Sequence, residues 1–451
     1  MIYRSLACLL SVGTLACGDT GGGAGGGTSE TGATASTGGA GTTGPASTST
    51  PTSDGETGAS GGVGESSGGE SESSGGPAGP VRERLYVGTG EFDPMRDWHG
   101  IVRFDDITGV NSAKTGPVDP DGTVNVKMSS DAQGVHLNFV HTIFVREDRD
   151  ELYAGALFTT TEGEPCPMAS LCGSVAVFAG ASQLDGPQVA TRSLFGPTTT
   201  LRLPHGVWVD ETRDILYVAN TFAGSILVWD KASEVDGDIK PDRTITWQDM
   251  GAPVYIYVDA ATDRAFVAAM PMIGGKQPQV LIYENISTRN GPSLPNLLVA
   301  GPNTRLDIGN PTTHNTWFIA KGEILAVAHH TNEVLFYSLK GAHWGNKGPT
   351  EVLDLAPRVL SIHEAEDDSD MGQWSAYGLF YRPEGDRMFV AAGYTPMGPP
   401  AANSDQHAVK VYENVSDPAT QGRVPPIAEL RWTNVDHYFP PQPLWVTRWE
   451  E

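Results

Sequence analysis

Pro204–Ile245 reads PHGVWVDETRDILYVANTFAGSILVWDKASEVDGDIKPDRTI. Short apolar stretches alternate with period two and are rich in β-branched and aromatic residues. Asp, Gly and Lys punctuate them. That combination predicts strands joined by tight turns. The same hairpin text recurs as HTIFVREDRDELYAG from His141, VYIYVDAATDRAFVAA from Val254 and YGLFYRPEGDRMFVAAG from Tyr377, and shortened as NTWFIAKGEILAVAHH from Asn315. Asp occupies the turn in four copies (Asp150, Asp214, Asp263, Asp386), and Gly322 takes its place in the short one. Both residue types tolerate tight-turn backbone geometry.

A further strand follows each hairpin and ends in an aromatic residue: GSVAVF to Phe178, GSILVW to Trp229, QVLIY to Tyr283, EVLFY to Tyr337 and AVKVY to Tyr412, with GIVRF to Phe104 upstream. One more strand then completes each repeat, most clearly at Arg243–Trp247, Leu297–Ala300, Val352–Leu355 and Ala428–Trp432. Six four-stranded repeats over residues 81–451, about 62 residues each, predict an all-β, six-bladed β-propeller. The first repeat begins at Leu85 with its second strand, and the orphan strand Pro443–Trp449 stands at the end of the chain. The expectation is that this C-terminal strand completes blade one and closes the ring, because an open propeller would leave two unpaired edges.

With these residues in view, Pro204–Ile245 resembles the repeat of bacterial NHL-type and lactonase-like propellers. FGPTTTLRL before it and AGPNTRLDI at Ala300–Ile308 resemble that family's inter-blade link. The resemblance implies a propeller that serves as a hydrolase, a lyase or a pure binding platform. Fold does not choose among these. Calcium-dependent lactonase relatives place Glu, Asn and Asp at the channel, whereas no Asp or Glu falls at the aligned inner-strand starts here.

The first eighty residues are different in kind. Met1–Cys17 carries Arg4, an apolar stretch Leu6–Leu15 and small residues, ending Gly13-Thr14-Leu15-Ala16-Cys17. It reads as an export signal resembling a bacterial lipobox, with Cys17 lipidated and Thr14 where the usual Leu would stand. Residues 18–80 are almost entirely Gly, Ser, Thr, Ala and Pro, a composition that predicts a disordered linker. The two GxSxG strings around Ser60 and Ser66 lie in this tract and lack the strand and helix a nucleophile elbow needs. The expected location is the bacterial cell envelope, at the outer membrane or cell surface, held by the lipid.

The chain carries 29 basic and 54 acidic residues, a net charge of −25; residues 81–451 keep 28 and 47 of these, or −19. That argues against a nucleic-acid partner and against adhesion of the head to anionic lipid. The partners that remain are an extracytoplasmic protein or a small-molecule ligand. Cys166 and Cys172 are most simply a loop disulfide in an exported protein. The acidic run His363–Asp370 suits either a solvated loop or a calcium clamp.

In a propeller, the starts of the inner strands and the ends of the second strands face one end of the central axis. Alignment places His141, His205, Val254, Asn315 and Tyr377 at inner starts, Asn220, His329 and His330 at second-strand ends, and His314 just before Asn315. The candidate ligand-binding set is therefore His141, His205, Asn220, His314, Asn315, His329 and Tyr377. Neutral imidazoles at this density suit Zn²⁺ or acid–base work, and equally a water-filled channel. Metal, zinc or calcium, is not required by any motif. Two readings follow: a membrane-tethered binding platform, or a hydrolase or lyase with a histidine-lined site.

Overall fold

The structure, a computed structural model, describes residues 81–89, 100–107, 118–125, 129–130, 135–161, 164–165, 173–271, 277–307, 315–328, 331–345, 350–363, 372–396, 408–431 and 441–450. The signal, the linker, Cys17, Cys166, Cys172, His314, His329, His330 and the run 364–370 lie outside the described residues.

Six separate sheets make six blades. Blade three shows the pattern: Pro204–Asp210 innermost, then Ile215–Asn220, Ser225–Asp230 and Arg243–Thr246, all antiparallel. Blade one is completed as expected. Its inner strand is Pro441–Glu450, paired antiparallel with Val81–Thr89 from Val81↔Glu450 to Thr89↔Pro441. The inner strands of successive blades touch around the ring, the last through the C-terminal strand.

One device repeats at the hairpin turns. Asp150, Asp214, Asp263 and Asp386 all take the left-handed conformation, at φ 50 to 57°. Each carboxylate then accepts bonds from the N–H and the hydroxyl of a serine after the third strand: Ser182, Ser233, Ser287 and Ser416. This explains Asn285-Ile-Ser and Asn414-Val-Ser as turn chemistry, since both asparagines are left-handed, φ 53°, and their serines are clasped. In the shortened repeat Glu323, φ 52°, holds the aspartate's place and Gly322 precedes it at φ 89°. Its carbonyl still accepts the Leu339 N–H at 2.8 Å, as Asp214 accepts that of Ala232 at 2.7 Å.

One sequence assignment is corrected. Glu351–Leu353 is not the outer strand of blade five; it adds in parallel to Leu297–Val299, the outer strand of blade four. Blade five is finished by Arg358–Ser361 instead. Parallel segments of the next blade also extend blades three and five, at Gly291–Pro292 and Gly422–Arg423. Short bridges continue this outer belt between blades one and two and between two and three, and Val118 N–H to Arg431 C=O at 2.9 Å links six back to one. Edges that would otherwise stand unpaired are thereby covered.

Phe104, Phe178, Trp229, Tyr283, Tyr337 and Tyr412, the aromatic ends of the third strands, are all buried. Each such ring removes on the order of 150–250 Å² from water and anchors its blade against the next.

Candidate functional site

The axis of the ring is closed by side chains. Each inner strand contributes one aromatic residue: Phe144, Trp208, Tyr257, Trp317, Phe380 and Trp445. Neighbouring rings meet edge-on or tilted all the way round, with centroids at 5.2, 4.7, 4.8, 4.9, 5.1 and 4.3 Å in that order from Phe144–Trp208 to Trp445–Phe144. Trp208 and Trp445 also meet across the ring at 5.3 Å. Such packing suits the quadrupoles of the rings. A continuous wet channel, one expectation from the sequence, is therefore replaced by an apolar plug that divides the axis into two ends.

Three residues before the aromatic, the inner strands bulge. Pairing skips His141 between Val140 and Thr142, Val254 between Pro253 and Tyr255, and Tyr377 between Ala376 and Gly378; in blade three the shift falls at His205. A bulge leaves one residue out of the ladder and re-aims its side chain. His141, His205 and Tyr377 thus stand at equivalent bulge positions one step above the plug, each in a different blade and each buried. Asn315 stands one step deeper, on the same strand face as Trp317, and pairs normally with Ala328.

The polar groups of this layer are linked across blades. The His141 and His205 rings meet edge-on with centroids 4.3 Å apart. His141 Nδ1 donates to the His205 carbonyl at 3.4 Å. His205 Nδ1 lies 2.6 Å from Thr221 Oγ1, whose hydroxyl proton goes to the Pro253 carbonyl at 2.6 Å. A hydroxyl has one proton to give, so His205 must donate from Nδ1, and its Nε2 keeps the lone pair. Burial, and secondly the neighbouring His141, holds the His205 pKa well below the usual histidine value, so the ring is neutral at pH 7. In blades four and five the Asn315 amide hydrogen-bonds the Tyr255 phenol, while burial pushes that phenol far above its usual pKa. Asn315 is 3% exposed, and its Oδ1 has no hydrogen-bond partner.

Asn220 plays another part. Its Nδ2 donates to Thr200 C=O at 3.0 Å and its Oδ1 accepts the Arg202 N–H. Its side chain is spent on the blade two to blade three link and does not join the layer. Thr221, which sequence reading missed, joins it through His205 Nδ1, and Tyr255, also missed, meets Asn315 one step deeper. Their signal was weak: Thr221 follows a strand end, and Tyr255 sits where other repeats carry Thr142, Gly206, Asn315 or Gly378.

Among the described residues no group of three or more His, Cys, Asp or Glu is placed to hold a metal. Calcium needs six to eight oxygen ligands, and the described layer offers no carboxylate, so no step is routed through a metal.

No family model matches the chain, and no curated protein matches it. Among solved structures it is similar to the periplasmic gluconolactonase of Pseudomonas aeruginosa, at 13% identity over 82% of this chain and 99% of that one, TM-score 0.45. It is also similar to a putative 6-phosphogluconolactonase of Bacteroides fragilis, at 11% identity over 81% and 98%, TM-score 0.42. A third similar structure is the Kuenenia stuttgartiensis hydrazine synthase, at 14% identity over 70% of each chain, TM-score 0.39. Likenesses of this size carry no argument about chemistry; the propeller rests on the six sheets themselves.

Proposed function

We propose that the protein is a membrane-tethered propeller that displays a small-molecule binding site at the bulged end of its axis. In this reading Cys17 carries the lipid, residues 18–80 are the tether, and the propeller head begins at residue 81. The observation that carries it is the layer of His141, His205 and Tyr377: polar side chains from different blades, buried, and backed by an apolar floor. Convergent polar groups over an apolar wall are the usual form of a ligand site. Blades two and six reinforce it. Their inner strands, Val135–Arg146 and Gly372–Arg382, begin six and five residues before the bulge, carrying the sheet about 17–20 Å further at this end.

The test is a ligand screen on the full-length chain in detergent, read by tryptophan fluorescence, since three tryptophans form the floor. Saturable quenching abolished by the double substitution His141→Ala, His205→Ala supports the site. Ligands that bind equally well to the double variant would refute it. A second reading, a hydrolase or lyase, is favoured by the neutral His205 with its Nε2 lone pair, the state a general base requires. Turnover of a lactone or ester panel that His205→Gln removes while binding persists would move the protein to that class.

A further inference from the structure

The geometry points to an organic ammonium, an amine with an apolar body, as the ligand class of the bulge layer. This inference rests on the site proposed above and deepens it. The donors of the layer are already committed: His205 Nδ1–H to Thr221, the Thr221 hydroxyl to Pro253, His141 Nδ1–H to the His205 carbonyl, and the Asn315 amide to Tyr255. The phenols of Tyr255 and Tyr377 can both donate and accept; of the other groups, what remains is acceptor in character: the lone pair on His205 Nε2 and the buried, partnerless Oδ1 of Asn315. A buried acceptor without a partner is costly. It is relieved by a ligand that brings N–H or O–H groups and made worse by a carboxylate or phosphate.

Charge separates the two kinds of donor. The propeller carries −19 between residues 81 and 451. The ion pairs around Arg146, Arg382 and Arg448 belong to the opposite end, and at the bulged end of blade six the buried Lys410 is spent on the Ile362 carbonyl and the face of Trp374. The net charge therefore favours a positive ligand, and the described residues of the layer include no lysine or arginine. The floor beneath contains Trp208, Trp317 and Trp445, the ring type that attracts cations best. An ammonium satisfies the acceptors, the field and the floor together; a neutral polyol satisfies only the first.

The experiment uses three probes of similar size on the full-length chain: butylammonium, sorbitol and butyrate, titrated calorimetrically. Butylammonium should bind at least tenfold more tightly than either other probe, and more weakly as NaCl rises from about 50 to about 500 mM. Asn315→Asp places a carboxylate at the bare acceptor and should tighten butylammonium at least fivefold. Asn315→Leu removes the acceptor and should weaken it at least tenfold. His205→Gln, which exchanges the lone pair for an amide, is the second variant should Asn315→Leu fail to fold. Preference for sorbitol or butyrate, with the same dependence on Asn315, would overturn the ammonium assignment and leave the site standing. Silence of all three probes toward a folded protein, in wild type and variants alike, would overturn both.

Discussion

The two ends of the axis are built from the same six strands and solve opposite problems. Above the aromatic plug, blades are joined by neutral hydrogen bonds: His141 to blade three, Thr221 to blade four, Asn315 to Tyr255. Below it, they are joined by ion pairs. Arg146 reaches Asp214, Lys321 reaches Asp386, Arg387 grips Glu83 at 2.8 and 2.5 Å, and Arg448 meets Glu384. The lower end spends its charges on its own partners and holds the ring. The upper end leaves acceptors over. A buried polar group left without a partner calls for an explanation, and a ligand is one.

The largest effect should come from a change that damages both ends. Removing Pro443–Glu451 takes Trp445 from the plug and Arg448 from the lower clamp, and exposes Val81–Thr89. Cooperative unfolding should vanish, with aggregation; a monomeric chain with an unchanged melt would show that the ring closes otherwise. Next, Glu83→Ala should act on the lower end alone. It leaves Arg387 and Arg382 facing each other with Glu83 gone from a buried position, a loss of about 3–5 kcal/mol by chemical denaturation. Ligand response at the upper end should persist while the protein is folded. Should Glu83→Ala instead abolish binding, the two ends are not independent. Asp263→Ala, which frees the Ser287 N–H and hydroxyl and puts Ala at φ 54°, should cost less, about 1–3 kcal/mol.

The smallest effects concern pH, and they run in opposite directions at the two ends. His205 is held below its unfolded value near 6.5 by burial. As pH drops through about 6.5, the unfolded chain takes a proton the native ring refuses, so stability falls by at most about 1.4 kcal/mol per pH unit. His205→Gln should flatten that slope. At the lower end Glu147 and Glu211 are exposed in area yet crowded by protein, and desolvation raises both above the usual carboxylate range. Their ionised forms cost stability at neutral pH, and the cost disappears as pH falls through the raised values toward about 4.5. Glu147→Gln with Glu211→Gln should therefore raise the melting temperature at pH 7 and leave it unchanged in acid. A rise that persists below pH 4 would assign the effect to packing rather than charge.

How much of this the sequence disclosed depends on the kind of signal. Strand, turn and closure were legible because period-two patterning and turn aspartates are local. The misplaced strand at Val352–Leu355 shows the limit. A segment that adds in parallel to a neighbouring blade has the same alternation as one that ends its own. Register failed for a related reason: a bulge adds one residue to a strand, so aligning by strand start put Asn315 level with His205 when it lies one step deeper. The aromatic plug left a clear trace, one ring at fixed spacing in HTIFV, HGVWV, VYIYV, NTWFI, YGLFY and PLWV. Only the closed ring of contacts gave that spacing its meaning. The loss of Asn220 from the site was illegible, since nothing local says whether an asparagine bonds backbone or ligand.

The placement of Val81–Thr89 as the second strand of blade one has a mechanical consequence. Any pull arriving through residue 81 enters a strand held on one side by Pro441–Glu450 and on the other by Gly100–Phe104. The tension is shared between both neighbours and cannot peel an outer edge. The C-terminal strand thus acts as a strain relief for Val81–Thr89, and a pull entering at residue 81 would not unzip the ring.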